Sequence, residues 1–231
     1  MGTLVNTASI IVGSLLGLVI HKGLAPRFND MIMKGIALCI LVIGIEGSLN
    51  SQNMIIVIIS IVIGGIIGEA LQLDKLLIQL ANHLQGIVAK NNPESTFAQG
   101  FMSATMLFCI GAMAIVGSLQ SGLANDNQML YTKSILDGIT ALILASSHGI
   151  GVAFSALAVL VYQGTLTLSA SFLAPFLSQV TITEMSTVGS VLLIGLGFNL
   201  LEMTQLKVTN YIPAIFLPII LIPLGQFLGL L

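Results

Sequence analysis

The sequence predicts an all-helical bundle embedded in a membrane, and three observations carry that prediction. First, 56% of the 231 residues are apolar and only 7% are charged, against about 25% charged in an ordinary soluble domain. Seven basic and nine acidic side chains cannot cover a water-soluble fold of this size. Second, six apolar runs meet or approach the length of about 17 to 25 residues that a helix needs to cross the hydrocarbon, where its backbone must satisfy its own hydrogen bonds. Third, the few basic residues gather in alternate connections, as expected when Lys and Arg accumulate on the cytoplasmic side.

The first span covers residues 3–21; the opening residues lack the basic region and cleavage site of a signal peptide, so this helix is expected to be retained. Further spans cover 33–49, 54–71, 96–120, 185–201 and 211–231. Residues 132–163 are too long for one straight helix and are interrupted at Ser146-Ser147-His148-Gly149-Ile150-Gly151. Splitting them into short helices at 133–145 and 149–162 gives eight crossings. With both termini outside, Lys22, Arg27 and Lys34 share one inner connection, Lys75 and Lys90 the next, and Lys207 the last; only Lys133 falls outside. Counting 133–162 as one tilted or re-entrant element is the alternative, and it moves Lys207 outside.

Residues 73–90 differ in kind. Leu73, Leu77, Leu80, Leu84 and Ile87 recur at helical spacing opposite Asp74, Lys75, Gln79, Asn82, His83 and Gln85, the pattern of a helix lying in the membrane interface. Asn91-Asn92-Pro93-Glu94-Ser95 then breaks that helix and starts the next. No separate soluble domain is visible, so residues 1–231 read as one transmembrane domain.

Cys39 and Cys109 lie inside apolar runs and predict no disulfide. Gly13-Ser14-Leu15-Leu16-Gly17 and Gly64-Gly65-Ile66-Ile67-Gly68 are GxxxG motifs, which let helices approach closely either within one subunit or in a homodimer. Pro213, Pro218 and Pro223 imply kinks in the last span. Leu41-Val42-Ile43-Gly44-Ile45 resembles Leu192-Leu193-Ile194-Gly195-Leu196. Ile20-His21-Lys22-Gly23-Leu24 resembles Val161-Tyr162-Gln163-Gly164-Thr165. Spans one to three would then repeat as six to eight, inverted about an axis in the membrane plane.

Several function classes are excluded. A net charge of -2 without a dense basic cluster argues against nucleic acid. No phosphate-binding loop, nucleophile elbow, H-E-x-x-H or CxxC motif is present, so no enzyme and no cofactor are expected. Met102, Met106, Cys109 and Met113 share a helical face that would suit Cu(I), but packing is the simpler reading. His21, His83 and His148 are too scattered for zinc. No metal is expected.

A carboxylate deep in a span costs about 2.5 to 3.5 kcal/mol on insertion scales, so it asks for a partner, a cavity or protonation. Glu46, Glu69 and Glu202 lie near span ends and can reach headgroups. Asp137 follows Lys133 by one helical turn in a helix that ends in a break; the two form either a functional site or a structural ion pair. Ser147 and His148 stand at the break itself, where a histidine serves as relay or gate, or is simply solvated.

Gly2-Thr3-Leu4-Val5-Asn6, the run from Gly100-Phe101 through Leu107 to Gln120, Lys133-Ser134-Ile135-Leu136-Asp137-Gly138, Gly195-Leu196-Gly197-Phe198-Asn199-Leu200 and Lys207-Val208-Thr209-Asn210-Tyr211-Ile212-Pro213-Ala214 resemble the bacterial multi-pass proteins of domain-of-unknown-function family 554. The resemblance spans essentially the whole chain and implies an inner-membrane protein presumed to transport a substrate. It draws attention to Asn6, Asp137, Asn199 and Asn210, which stand inside the matching strings; an asparagine in lipid also simply bonds a neighbouring helix or caps one. The sequence therefore points to a secondary transporter or channel for a small solute or ion, with Asp137, Lys133, Asn6, Asn199, Asn210, Ser147 and His148 as candidate site residues. The opposing expectation is a membrane scaffold or regulator acting through its surface helix at 73–90.

Overall fold

A computed structural model of the chain describes residues 1–21, 26–88, 96–109 and 112–227. The described residues form helices and connections, with no strand among them. In order these are α1 (Gly2–His21), α2 (Pro26–Ser48), α3 (Met54–Leu71), α4 (Leu73–Val88), α5 (Phe97–Cys109), α6 (Ala112–Ala124), α7 (Gln128–His148), α8 (Gly151–Leu168), the short α9 (Ala170–Leu173) and α10 (Gln179–Leu200). A 3-10 segment (Val208–Phe216) and α11 (Pro218–Phe227) complete the described chain. Among the described residues, six helices are long and apolar enough to cross a bilayer, and the count rises to eight when α5 with α6, and the 3-10 segment with α11, are each taken as one bent span. Lys22, Lys90 and the Asn91–Ser95 break lie outside the described residues.

Several expected boundaries change: α2 begins at Pro26 rather than 33, α10 at Gln179 rather than 185, and the span expected at 96–120 is divided between α5 and α6. The pair predicted as short helices at 133–145 and 149–162 consists of two full-length helices, α7 with 21 residues and α8 with 18. The break between them holds, at Gly149 with φ +73, a left-handed conformation that glycine adopts without strain. The last span is bent by 42° where the 3-10 segment meets α11; Pro213 and Pro218 remove backbone donors there, so a straight α-helix cannot run through.

The contacts divide into two compact units. The first comprises Met1–Ile36, Leu76–Cys109 and Met113–Ala170; the second is built mainly from Ala37–Lys75 and Ser171–Leu231.

In the first unit α1 and α7 lie side by side and parallel. The Gly2 amide donates to Asn127 Oδ1 at 2.7 Å and the Ser9 hydroxyl to the Ser134 carbonyl at 2.6 Å. Gly13 meets the Gly138 backbone, and Gly17 meets Leu142 and Ala145. A Cβ at Gly13 would collide with the Gly138 carbonyl, so this GxxxG motif serves packing within the chain. Further along, α5 begins beside α8, with Phe97 against Gly151, while α6 ends beside the far end of α8, with Gly122 against Thr167. The amphipathic α4 packs Leu77, Ala81 and Leu84 against Phe97, Phe101 and Phe154, and leaves Leu76 and Leu80 exposed.

The second unit is made of antiparallel pairs. Gly64 and Gly68 of α3 face Ala214 and Asn210, so the other GxxxG motif is also engaged within the chain. Gly44 of α2 sits on Ile194, and Gly197 of α10 on Leu41.

Candidate functional site

The first unit buries a polar cluster that joins three helices. Lys133 and Asp137 form an ion pair at 2.8 Å, with side chains 8% and 9% exposed. Because α7 begins at Gln128 and ends at His148, Asp137 stands near its middle, about 15 Å from either end at 1.5 Å per residue. Asn6 of α1 donates through Nδ2 to Asp137 Oδ2 at 3.0 Å and to Gln163 Oε1 of α8 at 3.3 Å. Both amides are fully buried.

The cluster is not saturated. Asn6 Oδ1 and Gln163 Nε2 are buried without a hydrogen-bond partner in the chain, and each such atom costs about 1–3 kcal/mol. The orientation is forced: Asn6 must turn Nδ2 toward the carboxylate, and Gln163 then turns its oxygen toward the same Nδ2. One acceptor and one donor are left over. One turn toward the start of α1 and the end of α8, Thr3 and Thr167 also hold unpartnered hydroxyls. One turn the other way, the same faces become apolar, with Ile10, Ala141 and Val159 buried in a core that includes Phe108 and Leu144. The cluster is polar on its α1 N-terminal side and sealed by packed hydrocarbon on the other.

Beyond that apolar layer lie Ser147 and His148. They are buried at the end of α7, and Ser147 Oγ and His148 Nδ1 lack partners. The His148 carbonyl accepts from Thr96 Oγ1 at 2.9 Å. His148 follows Asp137 by eleven residues on one helix, about 16 Å along the axis, so the two belong to different stations. Asn199 and Asn210 lie in the second unit and close turns there. Asn199 binds Thr204 Oγ1 and both the amide and the carbonyl of Leu206. Asn210 accepts from the Asp74 amide at 2.6 Å and donates to Glu69 Oε2 at 2.5 Å. Glu69 also pairs with Lys207, both well exposed.

Gln163 and Glu184 were missed by the sequence reading. Gln163 followed a span expected to stop at residue 162, and Glu184 preceded one expected to begin at 185. Glu184 is fully buried in the second turn of α10. Its carboxylate accepts from Ser51 Oγ and from the Gln52 and Asn53 amides at 2.7 to 2.9 Å, which anchors the start of α3 and leaves little spare capacity. A groove of about 520 Å³ in the second unit is lined by apolar residues of α3 with Glu69 and Tyr211.

The apolar helices and the apolar exterior define a polytopic helical membrane protein, and its first unit holds a buried polar cluster. The chain belongs to the family described as protein of unknown function (DUF554), which it matches over residues 1–223. It is 31% identical over 233 residues to the uncharacterized membrane protein YdfK of Bacillus subtilis (strain 168), covering 99% of this chain and 98% of that one. It is 28% identical over 220 residues to the uncharacterized protein YqgA of Escherichia coli (strain K12), covering 94% of each. No solved structure matches the chain.

Proposed function

We propose that the protein is a secondary transporter or channel, rather than an enzyme, that moves a small solute or ion across the bacterial inner membrane, with both termini on the outer side. The observation that carries this reading is the Lys133–Asp137 pair, buried mid-helix beside amide atoms whose hydrogen-bonding capacity is unused. A buried ion pair adds little net stability over apolar packing, and each charge is costly to insert in lipid. Use explains such a cluster better than folding does. The sealed layer beneath it favours a carrier that exposes the site to one side at a time.

The repeat expected from the sequence draws support from the second unit. The matched segments at 41–45 and 192–196 pack on one another antiparallel, Gly44 on Ile194 and Leu41 on Gly197, as a two-fold axis passing between them would require. Homodimerisation remains part of the proposal on the small size of the unit alone, since both GxxxG motifs are engaged within the chain.

Cysteine accessibility tests the reading without knowledge of the solute. In a variant with Cys39 and Cys109 replaced by alanine, single cysteines at Thr3 and Thr167 should react with a membrane-impermeant thiol reagent applied from outside. Cysteines at Ile10 and Val159 should not. A scaffold packs all four positions dry, and protection of Thr3 and Thr167 would overturn the proposal.

A further inference from the structure

We propose that the Asn6, Lys133, Asp137 and Gln163 cluster binds a small zwitterion bearing one carboxylate and one ammonium group, the chemistry of a free amino acid. This rests on reading the cluster as the transport site and names what that site takes. The argument begins with charge. Lys133 and Asp137 together are neutral, and they sit among packed side chains of α1, α7 and α8. A lone cation or anion added there would leave a net charge away from water, where it has no compensating partner. A solute that carries both signs leaves the site neutral.

The unused atoms agree with the charge. The unpartnered donor is Gln163 Nε2 and the unpartnered acceptor is Asn6 Oδ1. A ligand carboxylate would take Lys133 Nζ and Gln163 Nε2, while a ligand ammonium would give its protons to Asp137 and Asn6 Oδ1. In that exchange each protein charge trades its present partner for one of the same sign, so no charge is stranded. Lys133 and Asp137 are one turn apart on α7, and their direct contact at 2.8 Å is the one the ligand replaces. Opposed charges joined by a short carbon frame suit two protein charges set one helical turn apart, which favours the smaller members of the class.

The test uses the purified full-length protein and the common α-amino acids, each presented singly. For alanine the comparison set is ethylamine, propionate and propionamide, each lacking one or both charges, together with sodium and potassium chloride. At least one amino acid should raise the unfolding temperature and enter proteoliposomes, with its singly charged analogues weaker by at least about tenfold. Gln163→Met keeps the ion pair and nearly the volume, and should weaken binding by about tenfold while the ligand-free protein still folds. Lys133→Gln and Asp137→Asn should abolish it. Binding by a singly charged analogue or an inorganic ion as tight as by the zwitterion overturns the assignment, as does the absence of binding by every amino acid. Uptake of ions alone would leave the transport reading standing and the zwitterion overturned. Amino-acid binding without uptake would do the reverse.

Discussion

Removing one member of the Lys133–Asp137 pair strands the other charge, because both side chains are less than a tenth exposed. Asp137→Leu should therefore destabilise the protein by about 3–5 kcal/mol, whereas Lys133→Met with Asp137→Leu should lie close to the wild type. Thermal unfolding in detergent measures both. The transport reading requires that the stable double variant carry no solute. A double variant as unstable as the single one would show that the pair serves folding. Glu184 is the counter-example at the same scale. It is equally buried, yet its oxygens are taken up by Ser51, Gln52 and Asn53, so burial alone does not mark a site. What separates the Asp137 cluster from Glu184 is a buried ion pair set beside amide atoms whose capacity is left unused.

Helix pairing in the first unit depends on glycines that bring backbones into contact. Gly13→Leu would drive a side chain into the Gly138 carbonyl and separate α1 from α7, pulling Asn6 away from Asp137. Overpacking of this kind costs about 1–3 kcal/mol or more. A Cβ at Gly35 of α2 would meet no other part of the described chain within 4 Å, so Gly35→Ala should be neutral or stabilising by about 0.5–1 kcal/mol. The unfolding midpoint should fall for Gly13→Leu and hold or rise for Gly35→Ala, and equal loss in both would sink the packing argument. The spans themselves were legible because lipid demands long apolar runs, and the split at Ser146 to Gly151 was legible because glycine interrupts one. Their ends were not. A hydropathy window stops at the first polar residue, but a bundle interior accepts polar side chains, so Gln163 and Glu184 were left in loops. The cluster was half legible for a related reason. Lys133 and Asp137 are one turn apart in sequence, while Asn6 and Gln163 join them only through pairing of distant helices.

At the scale of the molecule, the direction of one helix pair constrains how often the chain crosses the membrane. α1 and α7 are parallel, so an odd number of crossings must lie between them. α2, α3 and the α5–α6 pair supply three provided that α4 does not cross, and α4 is the amphipathic helix, whereas α2 and α3 have the length and hydropathy of spans. Were α5 and α6 a re-entrant loop returning to the same side, α7 would run against α1; instead they start at one end of α8 and finish at the other. The arrangement also explains why Lys133 departs from the distribution of basic residues, since it lies within a span and pairs with Asp137. With the native cysteines replaced by alanine, cysteines at Ser51, Asp126 and Ser169 should react from outside intact cells. Cysteines at Gln72 and Glu202 should react only after permeabilisation, placing Lys75 and Lys207 on the cytoplasmic side as the basic-residue rule requires. External labelling at Gln72 together with protection at Ser51 would reverse the orientation. Labelling of Ser51 and Asp126 from opposite sides would break the parity on which the eight-span arrangement stands.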